Sequence, residues 1–398
     1  MFCKITNNKI KPFMSFGLMP IANGFLEKKN FKNEFLFKME VGFSKDISLF
    51  QLNDHPKPKL MFNKNYPFFT SSSKNMVNHF KNYSKWIKKN YFKNPKNVIE
   101  IGSNDGTFLK NFKNTKANIL GIEPSRNVAL LANKRKINTI NKFFNLKTAN
   151  NLKKFKYKTD LICAANAICH IPNLKDLIKG IDILLSKKGI FVFEEPYLGS
   201  MYKKTSYDQI YDEHIFMFSI TSVKKIFDLF NFELIDVQKQ KTHGGSMRYV
   251  IARKGEYTIK KIVKSGLDYE KKTKIDSIKG CLNFKKKCEI SKKKLRNKIL
   301  SIKKQNKTIA GYAATSKSTT ILNYCGIDNK HIDYICDTTK DKIGKFTPKT
   351  HIPIVDINHF QKNIPDYTFL FAWNHKQEIF KKEKKNLKKT NWIAHIDL

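Results

Sequence analysis

Two apolar segments, each followed by a short turn, constrain the fold of this chain more than any other feature. The run at 98–101 leads into a glycine-rich turn that ends at Gly106, and the run at 119–122 leads into Glu123. A glycine-rich turn lets the backbone approach a ligand closely, and a carboxylate at the end of the following strand can accept both hydroxyls of a ribose. The pattern predicts a parallel α/β sheet that binds an adenosine-bearing cofactor.

The spacing within the turn favours S-adenosylmethionine (SAM) over a dinucleotide. Gly102 and Gly106 do not follow the Gly-x-Gly-x-x-Gly pattern that a pyrophosphate requires, and SAM has no phosphate to hold. An unrelated glycine-rich turn is the alternative, and the acidic residues in and around the turn count against it. The predicted cofactor-binding residues are Glu100, Gly102, Ser103, Asn104, Asp105, Gly106, Glu123, Pro124 and Asn166.

The length of 398 residues allows two or three domains, because a domain usually takes about 100–200 residues. The predicted fold class is α/β, with three folded parts and a linker. They are a small β-rich N-terminal module at 1–75, a central Rossmann-like SAM methyltransferase sheet at 76–255, a helical linker at 256–305 and a second, smaller Rossmann-like α/β domain at 306–398.

Apolar runs separated by helix-length segments indicate that the central sheet is mostly parallel and covered on both faces. Two later runs, at 232–237 and 247–252, fit an antiparallel hairpin at the edge of such a sheet. Residues 256–305 lack proline and have apolar positions at helical spacing, which predicts one or two long helices. A strand-turn-helix unit at 308–317 begins the C-terminal part.

Several classes of protein are disfavoured by the composition. No apolar run reaches the roughly 18 residues of a membrane span, and the N-terminus does not open a signal peptide, so we expect a soluble, cytoplasmic protein. Seven cysteines contain no Cys-x-x-Cys pair, which leaves no intact zinc knuckle or redox motif and predicts reduced thiols.

The formal net charge of +43 and the pI near 9.9 would ordinarily suggest a nucleic-acid partner. The excess is almost all lysine and is spread from Lys4 to Lys389. A solvated lysine surface is therefore the preferred interpretation, and nucleic acid is not an expected partner. The positive field would still favour anionic substrates such as nucleotide diphosphates.

Six short phrases outside the turn occur at 16–23, 70–73, 211–214, 243–248, 311–317 and 350–353. In this order they resemble the nucleotide-sugar C-methyltransferases, three-part SAM enzymes of deoxysugar and surface-polysaccharide pathways. The resemblance covers essentially the whole chain. It implies SAM as cofactor, a nucleotide-linked 4-keto-deoxysugar as substrate, and methylation at C3 through an enolate. It leaves open whether the protein is a monomer or a homodimer.

The first domain departs from that family. The family's N-terminal part resembles a four-cysteine zinc module, and the matching positions here are Cys3, Thr6, Ser44 and Ile47. One thiol, two hydroxyls and an isoleucine cannot supply the four ligands that zinc needs. We therefore predict no metal, and packing alone must hold this module together.

The proposed chemistry needs a base and a group that stabilises an enolate. Tyr211, Glu213 and His214 offer a histidine whose pKa suits a base, a carboxylate to orient it or hold sugar hydroxyls, and a phenol that can donate to the oxyanion. Our hypothesis is that His214 is the base and that Tyr211 and Glu213 assist. A surface helix with a solvated His–Glu pair is the alternative.

Other candidates follow from position or from the resemblance. His170 follows a strand at the ligand-binding edge of the sheet and is either a second acid/base, a sugar contact or a packing histidine. Tyr66 and Phe68 either close the pocket or belong to a core. Lys317, in the 311–317 turn, is either a diphosphate contact or part of a structural turn.

His243 and Arg248 could serve the same diphosphate, since arginine pairs with phosphate oxygens. Three other functions compete with sugar C-methylation: sugar O-methylation, RNA methylation, and sugar-nucleotide binding without catalysis. An RNA enzyme should concentrate lysines and aromatic residues in one module. A protein that only binds should have lost the cofactor turn or the Tyr-Glu-His group, and this sequence has both.

Overall fold

A computed structural model describes residues 1–64, 66–113, 115–154 and 158–398. These residues form sixteen strands: β1 (Pro12–Pro20), β2 (Leu36–Ser44), β3 (Leu49–Leu52), β4 (Asn97–Ile101), β5 (Asn118–Ile122), β6 (Thr139–Ile140), β7 (Thr159–Ala165), β8 (Leu185–Pro196), β9 (Phe216–Met217), β10 (Phe232–Gln240), β11 (Ser246–Arg253), β12 (Ile309–Tyr312), β13 (Tyr334–Asp337), β14 (Ile354–Asp356), β15 (Tyr367–Leu370) and β16 (Asn391–Ile393).

The same residues form twelve α-helices: α1 (Pro58–Met61), α2 (Lys74–Asn90), α3 (Arg126–Lys134), α4 (Leu146–Lys154), α5 (Leu174–Leu184), α6 (Leu198–Lys204), α7 (Ile220–Asp228), α8 (Lys261–Thr273), α9 (Ile278–Lys304), α10 (Ser316–Cys325), α11 (Ile357–Lys362) and α12 (Lys376–Lys382).

The central sheet has seven strands in the order β10-β11-β8-β7-β4-β5-β6. The five strands from β8 to β6 are parallel, whereas β11 runs antiparallel to both β8 and β10. The predicted parallel sheet and its antiparallel edge hairpin are therefore confirmed. The chain order reverses between β4 and β7, which is where open α/β sheets bind ligands at the carboxyl ends of their strands.

Apolar residues explain why β4 lies in the middle of this sheet. Val98, Ile99 and Ile101 are buried between β5 and β7, as expected for a strand covered on both faces. Helix α2 covers one face: the Ser73 side chain caps its first turn by accepting the Met76 N–H. The turn that follows β4 is thus held on a rigid, buried base.

The N-terminal sheet is antiparallel, in the order β1-β2-β3-β9, and its last strand comes from the central part of the chain. Cys3 and Ile47, at two of the positions where the zinc module has cysteines, are buried in one hydrophobic cluster. Thr6 donates its N–H to the Cys3 sulfur at 3.4 Å. Apolar packing therefore occupies this region, and the absence of zinc stays a prediction.

The C-terminal sheet is parallel, in the order β14-β13-β12-β15-β16, as predicted for a second α/β unit. The predicted linking helices are α8 and α9. One hydrophobic cluster joins the N-terminal sheet, α9 and the C-terminal sheet. The three sheets therefore pack together, while the division at residues 75, 255 and 305 stays a prediction.

The seven cysteines are buried and form no disulfide among the described residues. None of the helices in the described ranges combines the length and the apolar character that crossing a membrane would require.

Candidate active site

A cavity of about 600 Å³ lies at the carboxyl ends of the central strands and is lined by residues from all three parts of the chain. It brings together most of the residues that the sequence singled out. The predicted residues that line it are Tyr66, Phe68, Glu100, Gly102, Ser103, Asn104, Glu123, Pro124, Asn166, His170, Tyr211, Glu213, His214 and His243.

The glycine-rich turn after β4 can approach a ligand only because of its glycine. Gly102 has a φ of +69°, and a side-chain carbon there would come within 2.6 Å of the Ala167 side chain. Its N–H donates to the Ile122 carbonyl at 2.8 Å, which joins the turn to the end of β5. The turn therefore presents bare backbone to the cavity, as a SAM site needs.

Glu123 and Glu100 give this half of the cavity its carboxyl groups. Glu123 accepts the N–H of Asn104 at 2.9 Å and that of Ser125 at 2.7 Å, one on each oxygen. Each oxygen keeps a lone pair for a ribose hydroxyl. Burial raises the pKa of Glu123. The pKa of Glu100 is also raised, by burial and by the nearby charges of Asp105 and Glu123. Glu100 Oε2 has no hydrogen-bond partner among the described residues. The carboxyl oxygens of Glu100 and Glu123 are therefore acceptors that fit an adenosine-bearing ligand.

Asp105 and Gly106 do not line the cavity, which corrects the sequence prediction. The Asp105 carboxylate accepts the Ser71 N–H at 3.0 Å and the Thr107 hydroxyl at 2.6 Å, and it pairs with Arg135 at 3.2 Å. It therefore holds the turn in place and faces away from the ligand. Gly106, with φ +75°, lies against the Ile137 side chain.

Tyr66 and Phe68 lie in the segment that covers the cavity, and the cofactor turn holds this segment. Asn104 accepts the Thr70 N–H at 2.9 Å and donates to the Phe68 carbonyl at 3.1 Å. Asn127 donates to the Tyr66 carbonyl at 2.8 Å. Hydrogen bonds therefore join residues 66–70, the segment that covers the cavity, to the turn and to Asn127.

The loop after β7 carries Asn166 and His170. Glu195, at the end of β8, accepts three consecutive N–H groups of this loop, from Ala167 at 3.0 Å, Ile168 at 2.7 Å and Cys169 at 3.3 Å. Asn166 adopts a φ of +51°, and its Oδ1 is buried without a partner among the described residues. Glu195, which the sequence-based site omits, therefore sets the course of the loop.

His170 stacks between Phe62 and His214, with ring centroids 5.4 Å and 5.2 Å away. Burial lowers the pKa of His170 to about 4, so the ring is neutral near pH 7. Its Nε2 has no partner within the described part of the chain. A neutral ring with a free nitrogen beside His214 can accept or donate one substrate hydrogen bond.

Tyr211 and His214 form a directly hydrogen-bonded pair. The Tyr211 hydroxyl lies 2.7 Å from His214 Nε2, and His214 Nδ1 lies 2.8 Å from the Gln209 carbonyl. Since a carbonyl can only accept, Nδ1 carries the hydrogen and Nε2 carries the lone pair. Burial, together with the nearby His170, lowers the pKa of His214 well below 6.5. The imidazole is therefore neutral and able to act as a base.

Glu213 and Asp212 are held by the N-terminal module. Asn23 donates its side-chain N–H to Glu213 Oε1 at 2.8 Å, and the Ala22 N–H donates to Asp212 Oδ1 at 3.0 Å. Burial raises the pKa of both carboxyls, and the charge of Glu213 raises that of Asp212 further. Asn23, which also lines the cavity, was missing from the predicted site, although it ends the 16–23 phrase.

His243 lines the cavity, but Arg248 does not. The guanidinium of Arg248 is buried against the rings of Tyr83 (3.8 Å) and Trp86 (4.6 Å) and donates to Glu194 Oε1 at 2.6 Å. These contacts disfavour a role for Arg248 in binding a diphosphate in the cavity.

Lys317 also lies outside the cavity lining, because its Nζ donates to Asn374 at 3.1 Å and lies 4.9 Å from the centre of a Trp373 ring. Among the described residues, the lysine that lines the cavity is Lys342, whose Nζ donates to the Ala314 carbonyl at 2.7 Å. Lys342 lies in a loop with no motif, so no sequence signal identified it.

Cys169, His170 and His214 have potential metal-ligand atoms within 4.8 Å of one another. Both nitrogens of His214 are already hydrogen-bonded, and burial raises the pKa of the Cys169 thiol. Metal binding would have to break these hydrogen bonds and remove the thiol proton, so the group fits acid/base chemistry better.

Comparison with known families gives two matches that together span most of the chain. A family model described as a methyltransferase domain matches residues 77–237, and one described as a C-methyltransferase C-terminal domain matches residues 241–396.

The chain is 28% identical over 377 residues to C-methyltransferase NovU of Streptomyces niveus, covering 94% of this chain and 90% of NovU. Among solved structures, the PH0226 protein of Pyrococcus horikoshii OT3 matches 47% of this chain and 95% of its own, with 16% identity and a TM-score of 0.39. Magnesium protoporphyrin IX methyltransferase (ChlM) of Synechocystis PCC 6803, solved with bound SAM, matches 44% of this chain and 79% of its own, with 11% identity and a TM-score of 0.34.

Proposed function

We propose that this chain, a SAM-dependent C-methyltransferase by its two family domains, methylates C3 of a nucleotide-linked 4-keto-deoxysugar through an enolate. The observation that carries the proposal is the Tyr211–His214 pair, in which a hydroxyl and a basic nitrogen lie 2.7 Å apart in the cavity that also contains the glycine-rich turn. Bound SAM supplies an electrophilic methyl group, which a carbon nucleophile must attack.

His214 is the base in this proposal. Its Nε2 lone pair is available because the Gln209 carbonyl holds the hydrogen on Nδ1, and burial keeps the ring neutral. In the structure that lone pair accepts the Tyr211 hydroxyl. When a ketone binds, the hydroxyl turns to the carbonyl oxygen and releases Nε2, which then takes the proton from the neighbouring carbon.

Tyr211 stabilises the enolate as a neutral donor. Burial raises the pKa of Tyr211 well above its usual value, so the phenol keeps its proton and donates a hydrogen bond to the oxyanion. The carbonyl oxygen and the acidic hydrogen of an enolisable ketone are on adjacent carbons. A donor and a base that are themselves neighbours match this arrangement.

The remaining cavity groups suit the rest of such a substrate. Glu213, oriented by Asn23, can accept sugar hydroxyls, and His170 can contact another. Lys342 is the cation that we assign to the diphosphate, in place of Lys317 and Arg248. With Glu123 and the turn holding SAM, the cavity would accommodate both substrates. We propose a role in deoxysugar or surface-polysaccharide biosynthesis.

The test is incubation with SAM and a panel of dTDP-, GDP- and CDP-linked 4-keto-deoxysugars that carry deuterium at C3. We expect one of them to gain one methyl group and to lose the deuterium, as read by mass spectrometry. A gain of methyl with the deuterium retained would contradict methylation at C3, and fragmentation of the product would show whether the methyl group is on oxygen or on another carbon. No methyl gain with any member of the panel would contradict the proposed substrate class.

A His214→Ala variant tests the base directly. We expect turnover to fall by about 10³-fold or more, because a general base contributes about 10²–10⁴-fold, while the dissociation constant for SAM stays within about twofold. Isothermal titration with SAM and the methylation assay provide the two readouts. Full activity in this variant would overturn the assignment.

A further inference from the structure

Trp373, which follows β15, contacts two segments that contribute to the cavity. Its indole N–H donates to Asp208 Oδ2 at 2.7 Å, and Asp208 begins the segment that leads to His214. Its six-membered ring lies against Gly244, where a side-chain carbon would come within 2.2 Å of the indole; Gly244 follows His243. We infer that Trp373 is a positioning residue that holds the His214 imidazole in its catalytic orientation.

The anchor point, Asp208, is fully buried and charged. Burial alone would raise the pKa of this carboxyl, but His395, Lys317 and the Trp373 N–H outweigh that effect and lower it. His395 Nε2 lies 3.2 Å from Asp208 Oδ1. Among the described residues only the Trp373 N–H makes a hydrogen bond to this carboxylate, and a hydrogen bond to a buried carboxylate is strong, so Trp373 fixes its position. All three partners belong to the C-terminal part of the chain.

Gln209, the next residue, carries the carbonyl that accepts the Nδ1–H of His214. On its other side, the Thr320 hydroxyl of α10 donates to the Ile210 carbonyl at 3.0 Å. The Gln209 peptide is therefore held on both sides by the C-terminal part of the chain. A fixed carbonyl selects one imidazole tautomer, the one whose Nε2 can act as a base.

The indole itself is held rigidly. Lys317 Nζ and Lys204 Nζ lie 4.9 Å and 5.4 Å from the centre of a Trp373 ring, within the range of cation–π attraction. Lys204 also donates to the Gly244 carbonyl, which joins the second segment to the same assembly. One side chain thus sets the relative position of two segments that lie far apart in sequence.

The chain supplies a matched control for a Trp373→Phe variant. Trp392, in β16, packs among Tyr312, Phe360 and Phe380, and its N–H has no hydrogen-bond partner among the described residues. Trp392→Phe therefore removes the same atoms from the same part of the chain without removing a hydrogen bond. This comparison separates the loss of the N–H donor from the general effect of a smaller ring.

The inference rests on the proposed role of His214 as base. We expect Trp373→Phe to lower kcat by about tenfold, since an error of about 1 Å in a catalytic group can cost about 10²-fold, and to leave the dissociation constant for SAM within about twofold. Trp392→Phe should leave both unchanged. Equal kcat losses in the two variants, or no loss in Trp373→Phe, would overturn the inference.

A second readout needs no substrate. In protein labelled with ¹⁵N-histidine, the ring signals of His214, assigned by their loss in His214→Ala, should show a single tautomer in the wild type and a mixture in Trp373→Phe. A wild type that methylates none of the sugars would contradict the proposed function and leave this result standing. An active wild type with an unchanged tautomer in Trp373→Phe would contradict the positioning role alone.

Thr320 keeps the inference testable if Trp373→Phe fails to fold. Thr320→Val has the same shape as threonine but cannot donate to the Ile210 carbonyl, whereas Thr320→Ser can. We expect kcat to fall in the valine variant and to recover in the serine variant. Equal kcat in the valine and serine variants would overturn the role of this segment.

Discussion

The two ring nitrogens of His214 have different hydrogen-bond partners, and each partner sets a different property. The Gln209 carbonyl sets the tautomer, and the Tyr211 hydroxyl occupies the nitrogen that a bound ketone would free in the proposed mechanism. Burial keeps the ring neutral. Residue type alone suggested a base, and these three surroundings give the residue the protonation state that a base needs.

The same surroundings predict the pH dependence of the reaction. A histidine with its usual pKa of 6.5 would lose basicity as the pH falls through that value, but the pKa of His214 is lowered, so its neutral form persists below pH 6.5. Burial raises the pKa of Glu213 and of Glu195 to about 7 and that of Asp212 to about 8, so a change near neutral pH belongs to one of these carboxyls. We therefore expect no decrease in kcat/KM from histidine protonation as the pH falls through 6.5.

Measurement of kcat/KM from pH 5 to 9 in the wild type and in Glu213→Gln checks this prediction. A limb that disappears in Glu213→Gln comes from the carboxyl. A limb near pH 6.5 that remains in Glu213→Gln and also in Glu195→Gln and Asp212→Asn would mean that His214 titrates normally and would contradict the prediction.

Among the structural elements, the turn after β4 exposes its backbone to the cavity and also holds a neighbouring segment. Its side chains hold the segment that covers the cavity: Asn104 bonds to Thr70 and Phe68, and Asp105 bonds to Ser71. The cofactor turn and the cover are therefore expected to become ordered together.

Asp105→Ala should weaken SAM binding although Asp105 does not line the cavity. We expect the dissociation constant to rise about tenfold, or about 1.4 kcal/mol, because the Ser71 N–H, the Thr107 hydroxyl and Arg135 lose their common partner. The control is Asp160→Ala, which removes a carboxylate that accepts the Lys96 N–H at the opposite end of the sheet. Equal SAM affinities of the two variants, measured by calorimetry, would contradict the coupling.

The N-terminal module should contain no zinc. Cys3 and Ile47 pack in a hydrophobic cluster, and the positions of the former zinc module cannot supply four ligands. Atomic absorption on purified protein should give much less than one zinc per chain. Stoichiometric zinc would show that other residues replace the missing cysteines.

For the molecule as a whole, we expect the net charge of +43 to attract an anionic substrate and so to affect its binding, and not the rate of the chemical step. Raising the salt concentration from 0.1 to 1 M shortens the screening length from about 10 Å to about 3 Å. We expect the KM for the nucleotide sugar to rise about threefold or more, with kcat unchanged. A salt-independent KM would mean that the lysine surface does not attract the substrate.

Local patterns were sufficient to predict the regular elements. The strands around 98–101 and 119–122, the edge hairpin and the two linking helices were all predicted, because burial periodicity and turn residues are properties of neighbouring positions. Strands of two or three residues, such as β6 and β14, leave too short a pattern to recognise.

The candidate site was only partly predictable. The glycine turn, Glu123 and the Tyr211–His214 pair lie within short sequence motifs, and the structure places them in one cavity. Asn23 and Lys342 reach that cavity from loops of the N-terminal and C-terminal parts of the chain. Asn23 ends the 16–23 phrase, but neither residue was predicted to line the cavity. Such contacts depend on how the sheets pack.

The sequence by itself determined the cofactor turn, the order of strands and helices, and the types of residue available for catalysis, since each depends on spacing along the chain. Only the tertiary structure decided which side chains face the cavity. Arg248 and Asp105 have suitable chemistry, but other side chains already pair with them. The proposed role of His214 as a base depends on burial and on the Gln209 carbonyl. The contact of Asp208 with the distant Trp373 exists only after the C-terminal sheet has packed against the central one.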